Sequence, residues 1–232
     1  MNNHTLFIAD LHLESSESDT TKLFMNFLDN IPEQTDALYI LGDLFKFWAG
    51  DDDNSNFNQL IKKVLKKTNR KTAIYLMPGN RDFLLGNRFA EETGCTLIHD
   101  PYVINLYGIN TLLTHGDTIS NHRTKYQIFR ALVRIPWLTK LFLKLPLNFR
   151  TKIAKLLQQH SSRRMLNKNN FQLIPQQNKL KKLMAKFDFD QIIYGHVHRA
   201  NQGTVLIYEK TISYISLGKW DNSTHVLKID LN

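Results

Sequence analysis

The sequence predicts a mixed α/β fold in which helices pack on the outside of β-sheets. Two patterns indicate it: short apolar runs without polar alternation, typical of strands buried on both faces, and helix-like stretches between those runs. The apolar runs are Leu6–Ala9, Leu38–Leu41, Ile74–Met77, Leu112–Thr114 and Ile192–Tyr194. The helix-like stretches include Lys22–Leu28, Asn58–Lys67 and Leu84–Glu92.

The length of the chain and its later segments extend this prediction. Thr204–Leu217 and Thr224–Leu231 are rich in β-branched and aromatic residues and predict further strands. The chain has 232 residues, of which 42% are hydrophobic and 22% are charged, and this composition excludes wholesale disorder. We expect a single domain over residues 1–232.

The cysteine content and the N-terminal segment bear on the compartment. Cys95 is the chain's single cysteine, which excludes an internal disulfide framework and a cysteine-rich zinc site and favours a reducing compartment. Met1–Thr5 lacks the basic start and long apolar core of a secretory signal. Since no run approaches the roughly 18 apolar residues of a spanning helix, we expect a protein that is soluble or bound to a membrane surface.

The charge is divided unevenly along the chain. The net charge is +9, yet the segment Thr118–Phe187 has no Asp or Glu and holds 16 of the 30 Lys and Arg residues. The rest of the chain has 14 basic and 21 acidic residues. This division predicts an acidic surface suited to cations and a basic surface suited to anions, although a solvated helical face is the simpler alternative.

The basic segment predicts an inserted helical cap over about residues 121–187, rather than a separate domain. Prolines 136, 146 and 175 lie near the ends of its helix-like stretches, as expected where helices begin or stop. These stretches are Tyr126–Arg134, Trp137–Leu145, Phe149–Gln158 and Leu173–Phe187.

Each of the five apolar runs leads into polar groups that are able to bind a metal ion. Ligands bind beyond the carboxyl ends of strands in α/β sheets, so we expect the five ends to converge in space. The motifs are Asp10-Leu11-His12, Gly42-Asp43, Gly79-Asn80-Arg81-Asp82, His115-Gly116-Asp117 and Gly195-His196-Val197-His198. A lone histidine or a Gly-Asp pair is more often structural, and the prediction depends on all five occurring together.

The donor set favours two divalent cations. Carboxylate, imidazole and amide oxygens without a thiolate suit Mn²⁺, Fe²⁺, Zn²⁺ or Co²⁺. Two such ions, about 3.5–4 Å apart, clamp a phosphoryl group and lower the pKa of a bridging water. Asp43 is the candidate bridge between the ions, and the glycines at 42, 79, 116 and 195 would let the backbone approach closely.

Together these motifs resemble the calcineurin-like metallophosphoesterases. The resemblance implies a four-layer αββα sandwich, two β-sheets between helical layers, with a dinuclear metal centre. It implies that one metal is held by Asp10, His12, Asp43 and His198. It implies that the other is held by Asp43, Asn80, His115 and His196.

Arg81 departs from most of that family, which has histidine at this position. Histidine can protonate an alkoxide leaving group, whereas arginine cannot deliver a proton but can hold phosphate oxygens bidentately. A phosphate leaving group needs no acid, so Arg81 favours a diphosphate substrate cleaved at its P–O–P bridge. The alternative is that Arg81 pairs with Asp82 or another carboxylate.

Longer motifs resemble one branch of the family, the UDP-2,3-diacylglucosamine pyrophosphohydrolases of the Gram-negative lipid A pathway. The resemblance implies hydrolysis to 2,3-diacylglucosamine 1-phosphate and UMP, by water attack on the α-phosphorus, usually with Mn²⁺. It covers nearly the whole chain. The motifs are 41–45, Gly50-Asp51-Asp52-Asp53, 79–86, Tyr126-Gln127-x-Phe129-Arg130, Pro136-Trp137 and 142–147.

The same resemblance implies which residues act on the substrate. The expected catalytic residues are Asp43, Asn80, Arg81 and His196. The expected substrate contacts are Asn80, Arg81, Ser161, Lys168 and His196. Two departures affect the expected sugar and phosphate contacts, because Arg123 and Met165 stand where the branch has aspartate and asparagine.

The cap has three possible roles. The apolar and basic alternation of Trp137–Lys144 suits a helix lying on an anionic membrane, while the same side chains could line a groove for acyl chains or pack on the core. The resemblance implies a glycolipid nucleotide as the substrate, and we expect a monomer that binds no nucleic acid. It would lie in the cytoplasm, bound peripherally to the inner membrane of a Gram-negative bacterium.

Two other functions fit part of the sequence. A phosphodiesterase or nuclease of the same fold would use the 16 basic residues to bind a nucleic-acid backbone, but the cap's aromatic residues lie among aliphatic ones, unlike a base-stacking platform. A non-catalytic membrane-binding module stabilised by metal usually lacks one or more ligands, and here all seven ligands are present.

Overall fold

The computed structural model describes residues 3–120, 124–166, 174–220 and 225–231, with side chains except at 124–125 and 157–166. The strands are β1 His4–Ile8, β2 Thr35–Leu41, β3 Ala73–Met77, β4 Thr96–Leu97, β5 Tyr102–Leu106, β6 Ile109–Thr114, β7 Gln191–Tyr194, β8 Asn201–Ile207, β9 Lys210–Ser216 and β10 Leu227–Asp230. The helices are α1 Asp19–Asp29, α2 Asn56–Asn69, α3 Asn87–Thr93, α4 Thr124–Val133, α5 Pro136–Leu143, α6 Leu147–Leu166 and α7 Gln177–Met184.

The strands form two five-stranded sheets that differ in their edge strands. The first has the order β10-β1-β2-β3-β4, in which β1 to β4 are parallel and β10 is antiparallel. The second has the order β5-β6-β7-β9-β8, in which β6, β7 and β9 are parallel. The five predicted apolar runs lie on β1, β2, β3, β6 and β7, and these strands are parallel within each sheet. In each sheet the carboxyl ends of these strands therefore lie on the same side.

Three apolar layers hold four layers of structure together. Alternate residues of β1 face opposite ways: Ile8 packs with the helix residues Phe24 and Ile61, whereas Phe7 packs between the sheets with Leu113. On the far face of the second sheet, a third cluster includes Ile192, Tyr214 and Leu180 of α7. Because side chains alternate between the two faces of a strand and both faces of each sheet are buried, the sheets and helices form the predicted αββα sandwich.

Several predicted boundaries differ from the structure. The stretch predicted from Leu84 becomes helical only at Asn87, because the Asp51 carboxylate accepts hydrogen bonds from the Gly86 and Phe89 amides and sets the start of α3. The last cap helix begins after Pro175, as the proline disfavours a helical residue before it. Strands β4 and β5 were not among the predicted ones.

The cap region includes helices with many exposed apolar side chains. Helix α7 packs by Leu180 on the second sheet, whereas α5 has no buried residue. Among the helices of the described residues, none combines the length and the hydropathy that crossing a bilayer requires. The extent of an inserted cap, about 121–187, stays a prediction.

Candidate metal centre

The predicted ligands follow the carboxyl ends of strands from both sheets. Backbone hydrogen bonds fasten their loops to one another: the Asp10 amide donates to the Gly42 carbonyl at 3.1 Å, and the His12 amide donates to the Asp43 carbonyl at 2.9 Å. The loops of the second sheet are joined similarly, since the Gly195 amide donates to the His115 carbonyl at 3.0 Å. The five strand ends therefore converge as the sequence predicted.

Five of the seven predicted ligands have left-handed backbone conformations. Their φ angles lie between 53° and 71°, a region that costs a non-glycine residue about 1–3 kcal/mol. These residues are Asp10, His12, Asp43, His196 and His198. The hydrogen bonds between the loops stabilise these strained conformations, and the conformations turn the side chains toward a common point.

Two glycines make room for the ligands, as predicted. A Cβ at Gly42, whose φ is +92°, would lie 2.4 Å from the His115 Nδ1 atom. A Cβ at Gly79 would lie 2.3 Å from the Asp43 Oδ1 atom. Any side chain at either position would displace a ligand.

The structure brings all seven predicted ligand side chains together. Asp10, His12 and His198 each offer one donor atom within 4.8 Å of the others, and so do Asp10, Asp43 and His115. Asn80 and His196, the remaining two, both contact His115. The His115 Nε2 lies 2.9 Å from the Asn80 Oδ1 and 3.2 Å from the His196 Nδ1. Asp10 belongs to both groups, so which ion each ligand holds stays a prediction.

The donor atoms fit divalent cations. Asp10, Asp43 and His115 are fully buried, and the Asp10 Oδ1 accepts no hydrogen bond from the described residues. Asp43 connects the two groups, since its Oδ2 lies 3.1 Å from the His12 Nε2 and its Oδ1 lies 3.7 Å from the His115 Nε2. Buried carboxylate oxygens this close to imidazole nitrogens offer the oxygen and nitrogen donors that divalent cations bind.

Charge in this buried cluster shifts two pKa values in opposite directions. Burial disfavours a charged His115, but the Asp43, Asp10 and Asp117 carboxylates outweigh burial and raise its pKa to about 9. Burial likewise opposes a charged Asp43, yet His115, His12 and Arg81 hold the pKa of that carboxyl well below its usual range. The metal-free site therefore holds a proton on His115 at neutral pH.

We expect cation affinity to rise with pH until about pH 9. Below that value the cation must displace the His115 proton, so apparent affinity falls by up to about tenfold per pH unit. Calorimetric titration of the metal-free protein in buffers of different ionisation enthalpy measures the released proton. The exposed His99 gives a matched control, because His99→Gln should keep this dependence. Affinity that is constant between pH 7 and pH 9 would contradict it.

Asp82 holds the ligand loops in place, a role that its position in the motif Gly79-Asn80-Arg81-Asp82 did not predict. The buried Asp82 accepts hydrogen bonds from the Gly79 amide at 2.7 Å and the Phe45 amide at 3.2 Å, so it joins the loops after β2 and β3. Burial and the charge of Asp43 raise the pKa of Asp82 to about 7.

Helix α4 contacts the centre through one polar face. Tyr126 and Arg130 donate to the buried Asp117 carboxylate at 3.1 and 2.5 Å, and Arg134, the residue that follows the helix, donates to the Gly79 carbonyl at 2.7 Å. These residues are spaced four apart in the sequence, and this helical spacing could have predicted that they share one polar face.

Arg81 lies at the centre, with its Nε 3.3 Å from the Asp43 Oδ2. Of the other predicted substrate contacts, Ser161 belongs to α6 but its side chain lies outside the described residues, as does Lys168. The two departures, Arg123 and the side chain of Met165, also lie outside them.

Comparison with known proteins identifies the family. The calcineurin-like phosphoesterase family matches residues 4–200, which is most of the chain and includes every predicted metal ligand. The chain belongs to the calcineurin-like phosphoesterase family. This membership confirms the predicted fold and the predicted class of enzyme, a hydrolase.

Similar proteins span nearly the whole of this phosphoesterase. It is 40% identical over 224 residues to the UDP-2,3-diacylglucosamine hydrolase of Aliivibrio fischeri (strain MJ11), covering 96% of this chain and 93% of that protein. It is 40% identical over 226 residues to the protein of the same name from Photorhabdus laumondii, covering 97% and 94%. Among solved structures, Vps29 of Cryptosporidium parvum has a TM-score of 0.47 at 13% identity, covering 99% of this chain and 86% of that one.

Proposed function

We propose that this phosphoesterase hydrolyses UDP-2,3-diacylglucosamine at its diphosphate, giving UMP and 2,3-diacylglucosamine 1-phosphate in lipid A biosynthesis. The main support is identity of 40%, over 96% of the chain, to a protein named as the hydrolase of this compound. The position of Arg81 beside the buried carboxylates agrees, because a diphosphate offers oxygens for its guanidinium and a leaving group that needs no acid.

The residues of the centre would hold two cations. Asp10, His12, Asp43 and His198 would hold one cation, and Asp43, Asn80, His115 and His196 the other. Two bound cations supply a water activated near neutral pH and a clamp on the phosphoryl oxygens. We propose Mn²⁺ for both, since the oxygen and imidazole donors accept it.

Arg81 supports the departure of the lipid phosphate. Its guanidinium can hold the diphosphate oxygens bidentately, so charge that develops on the bridging oxygen is stabilised as the bond breaks. Water attacks the α-phosphorus, the bond from that phosphorus to the bridging oxygen breaks, and the attacking oxygen remains in UMP. Asn80 and His196 contact the same phosphate as well as serving as ligands. We include Ser161 and Lys168 as contacts to the lipid sugar.

A ³¹P NMR time course with UDP-2,3-diacylglucosamine in ¹⁸O-labelled water tests the reaction, run with and without Mn²⁺. Labelled UMP that forms only with metal is the expected result. If the label appears in the lipid phosphate instead, the proposed substrate is correct but water attacks the other phosphorus of the diphosphate. No turnover, together with cleavage of a simple phosphodiester, would favour a phosphodiesterase or nuclease. Parallel runs with Zn²⁺, Fe²⁺ and Co²⁺ test the choice of Mn²⁺.

We also propose that the enzyme binds the cytoplasmic face of the inner membrane through α5 and its neighbours. Trp137 is 66% exposed, and Leu141 and Phe149 are also exposed, although Phe142 packs against the first apolar cluster. Lys140 and Lys144 lie on the same segment, and such a mixture suits the boundary between acyl chains and anionic headgroups.

Vesicle sedimentation measures this binding. The wild type should bind vesicles that contain anionic phospholipid, and the Trp137→Asp, Leu141→Asp double variant should bind about tenfold more weakly, because two apolar side chains no longer enter the membrane. Leu206, which is 61% exposed on β8, provides the control, since Leu206→Asp should bind as the wild type does. If the wild type fails to bind at low salt, membrane association is wrong.

A further inference from the structure

Arg150, in the first turn of α6, is almost completely buried, with 1% of its surface exposed. Its Nε donates to the Leu145 carbonyl at 2.8 Å, and one terminal nitrogen donates to the Ala49 carbonyl. Both terminal nitrogens bind the carboxylate of Asp52, with 2.9 Å between one of them and Oδ1. The planar guanidinium thus connects α6 to the loop after β2 with a bidentate geometry that lysine cannot reproduce.

The loop is built to receive this guanidinium. Gly50 has a φ of +137°, and a Cβ there would lie 2.3 Å from a terminal nitrogen of Arg150. The same Cβ would lie 3.0 Å from a methyl carbon of Leu143, at the end of α5. The absence of a side chain at Gly50 therefore permits both the ion pair and the close approach of the cap.

The loop that Arg150 holds also contacts the segment that carries Arg81. The Trp48 amide donates to the Arg81 carbonyl at 3.1 Å. The Asp51 carboxylate accepts hydrogen bonds from the Trp48 indole at 3.0 Å and from the Gly86 amide at 3.1 Å. Two hydrogen-bonded steps therefore separate α6 from the substrate-binding segment at the metal centre.

The cap is attached on two sides of the centre. Arg130 of α4 and Arg134, the residue that follows α4, bind the loops after β6 and β3, and Arg150 binds α6 to the loop after β2. Lys155 adds a cation–π contact to Phe47, with its Nζ 5.8 Å from the ring centre. Exposed apolar side chains line both helices, including Phe129 and Leu132 on α4 and Phe149 and Leu156 on α6.

We propose that Arg150 is a positioning residue, which fixes α6 against the loop after β2 and so sets the separation of α4 and α6 for the acyl chains of the substrate. The proposal rests on the proposed function, because it concerns the binding of a two-chain lipid. Arg150 makes no contact with the reacting atoms. Its loss should therefore weaken binding of the lipid in the ground state and the transition state alike, which raises KM and leaves kcat.

Steady-state kinetics of Arg150→Met with UDP-2,3-diacylglucosamine in mixed micelles tests the proposal. Methionine keeps the apolar, unbranched part of the side chain but removes the guanidinium with its charge and its donors. We expect KM to rise about tenfold while kcat stays within about threefold of the wild type. Lys152→Met is the matched control, since Lys152 is exposed on the same helix, and it should leave both constants unchanged. Metal content by mass spectrometry should be the same in all three proteins.

A merely structural role predicts a different result. Loss of folded protein removes active molecules, so kcat falls in proportion while KM stays constant, and that outcome would overturn the proposal. So would unchanged constants in Arg150→Met while the wild type is active. If the wild type itself does not cleave the lipid, the proposed function fails, and the role given to Arg150 fails with it.

The partner residue offers a second measurement. Asp52→Asn should raise KM in the same way, and the double variant should be no worse than the poorer single variant, because both changes break one contact. Should Arg150→Met not fold, Arg150→Lys keeps the charge but loses the bidentate geometry, and an increase in KM smaller than that of Asp52→Asn is expected. Additive effects would overturn the proposal, because Arg150 and Asp52 would then not act through their shared contact.

Discussion

Asp43→Asn lowers kcat for the diphosphate substrate by about a thousandfold or more, which makes it the most damaging of the expected changes. Asparagine keeps the size of the side chain, but the buried centre loses a negative charge that would balance the bound cations. The Asp43 Oδ2 also faces His12, while its Oδ1 faces His115 and accepts a hydrogen bond from the Arg81 amide at 2.9 Å, so the geometry of the site depends on both oxygens.

Kinetics with metal analysis separates loss of metal from loss of fold. Asp43→Asn should contain less bound metal than the wild type, while circular dichroism shows the same secondary structure. Asp29→Asn is the control, because Asp29 forms an exposed ion pair with Lys67 and should keep full activity. Near-normal turnover by Asp43→Asn with both ions bound would exclude Asp43 as the bridging ligand.

Arg81→Ala lowers kcat/KM for the diphosphate by about a hundredfold to a thousandfold and leaves the metal content unchanged. Such losses are usual when a charged donor to a developing oxyanion is removed. The metal ligands should stay in place, because it is the Arg81 backbone amide that donates to Asp43 at 2.9 Å, and alanine keeps that amide. Steady-state rates and metal analysis of the purified variant measure both effects.

The comparison with Arg81→His distinguishes the two interpretations of this residue. A histidine can protonate an alkoxide, so the ratio of phosphodiester to diphosphate cleavage should rise in Arg81→His. Arg88→Ala is a suitable control, since Arg88 is exposed and pairs with Glu92. If Arg81→Ala keeps more than half of the activity, Arg81 acts mainly as an ion-pair partner of Asp43, 3.3 Å away.

The convergence of the seven predicted ligand side chains was predictable because each one follows a strand with both faces buried. Such strands leave a continuous apolar run in the sequence, and their parallel arrangement brings their carboxyl ends to one edge. The left-handed conformations of His12 and His198 were not predictable, since only a small minority of histidines adopt that region and contacts between distant loops impose it here.

The role of Arg150 was hidden for a similar reason. In the sequence it is one cation in a basic segment, where a solvated position is the ordinary expectation. Its acceptors, Ala49 and Asp52, lie 101 and 98 residues away, so only the tertiary structure reveals the buried site. The start of α3 is comparable, because Asp51 fixes it from another loop.

The division of the ligands between the two sheets has a consequence for the protein as a whole. Asp10 and Asp43 follow strands of one sheet, and His115 and His198 follow strands of the other, so an ion held by these four side chains would crosslink the two sheets. Separating the sheets would require releasing the ion. The supply of metal in the cell would then govern how long the enzyme lasts as well as how fast it works.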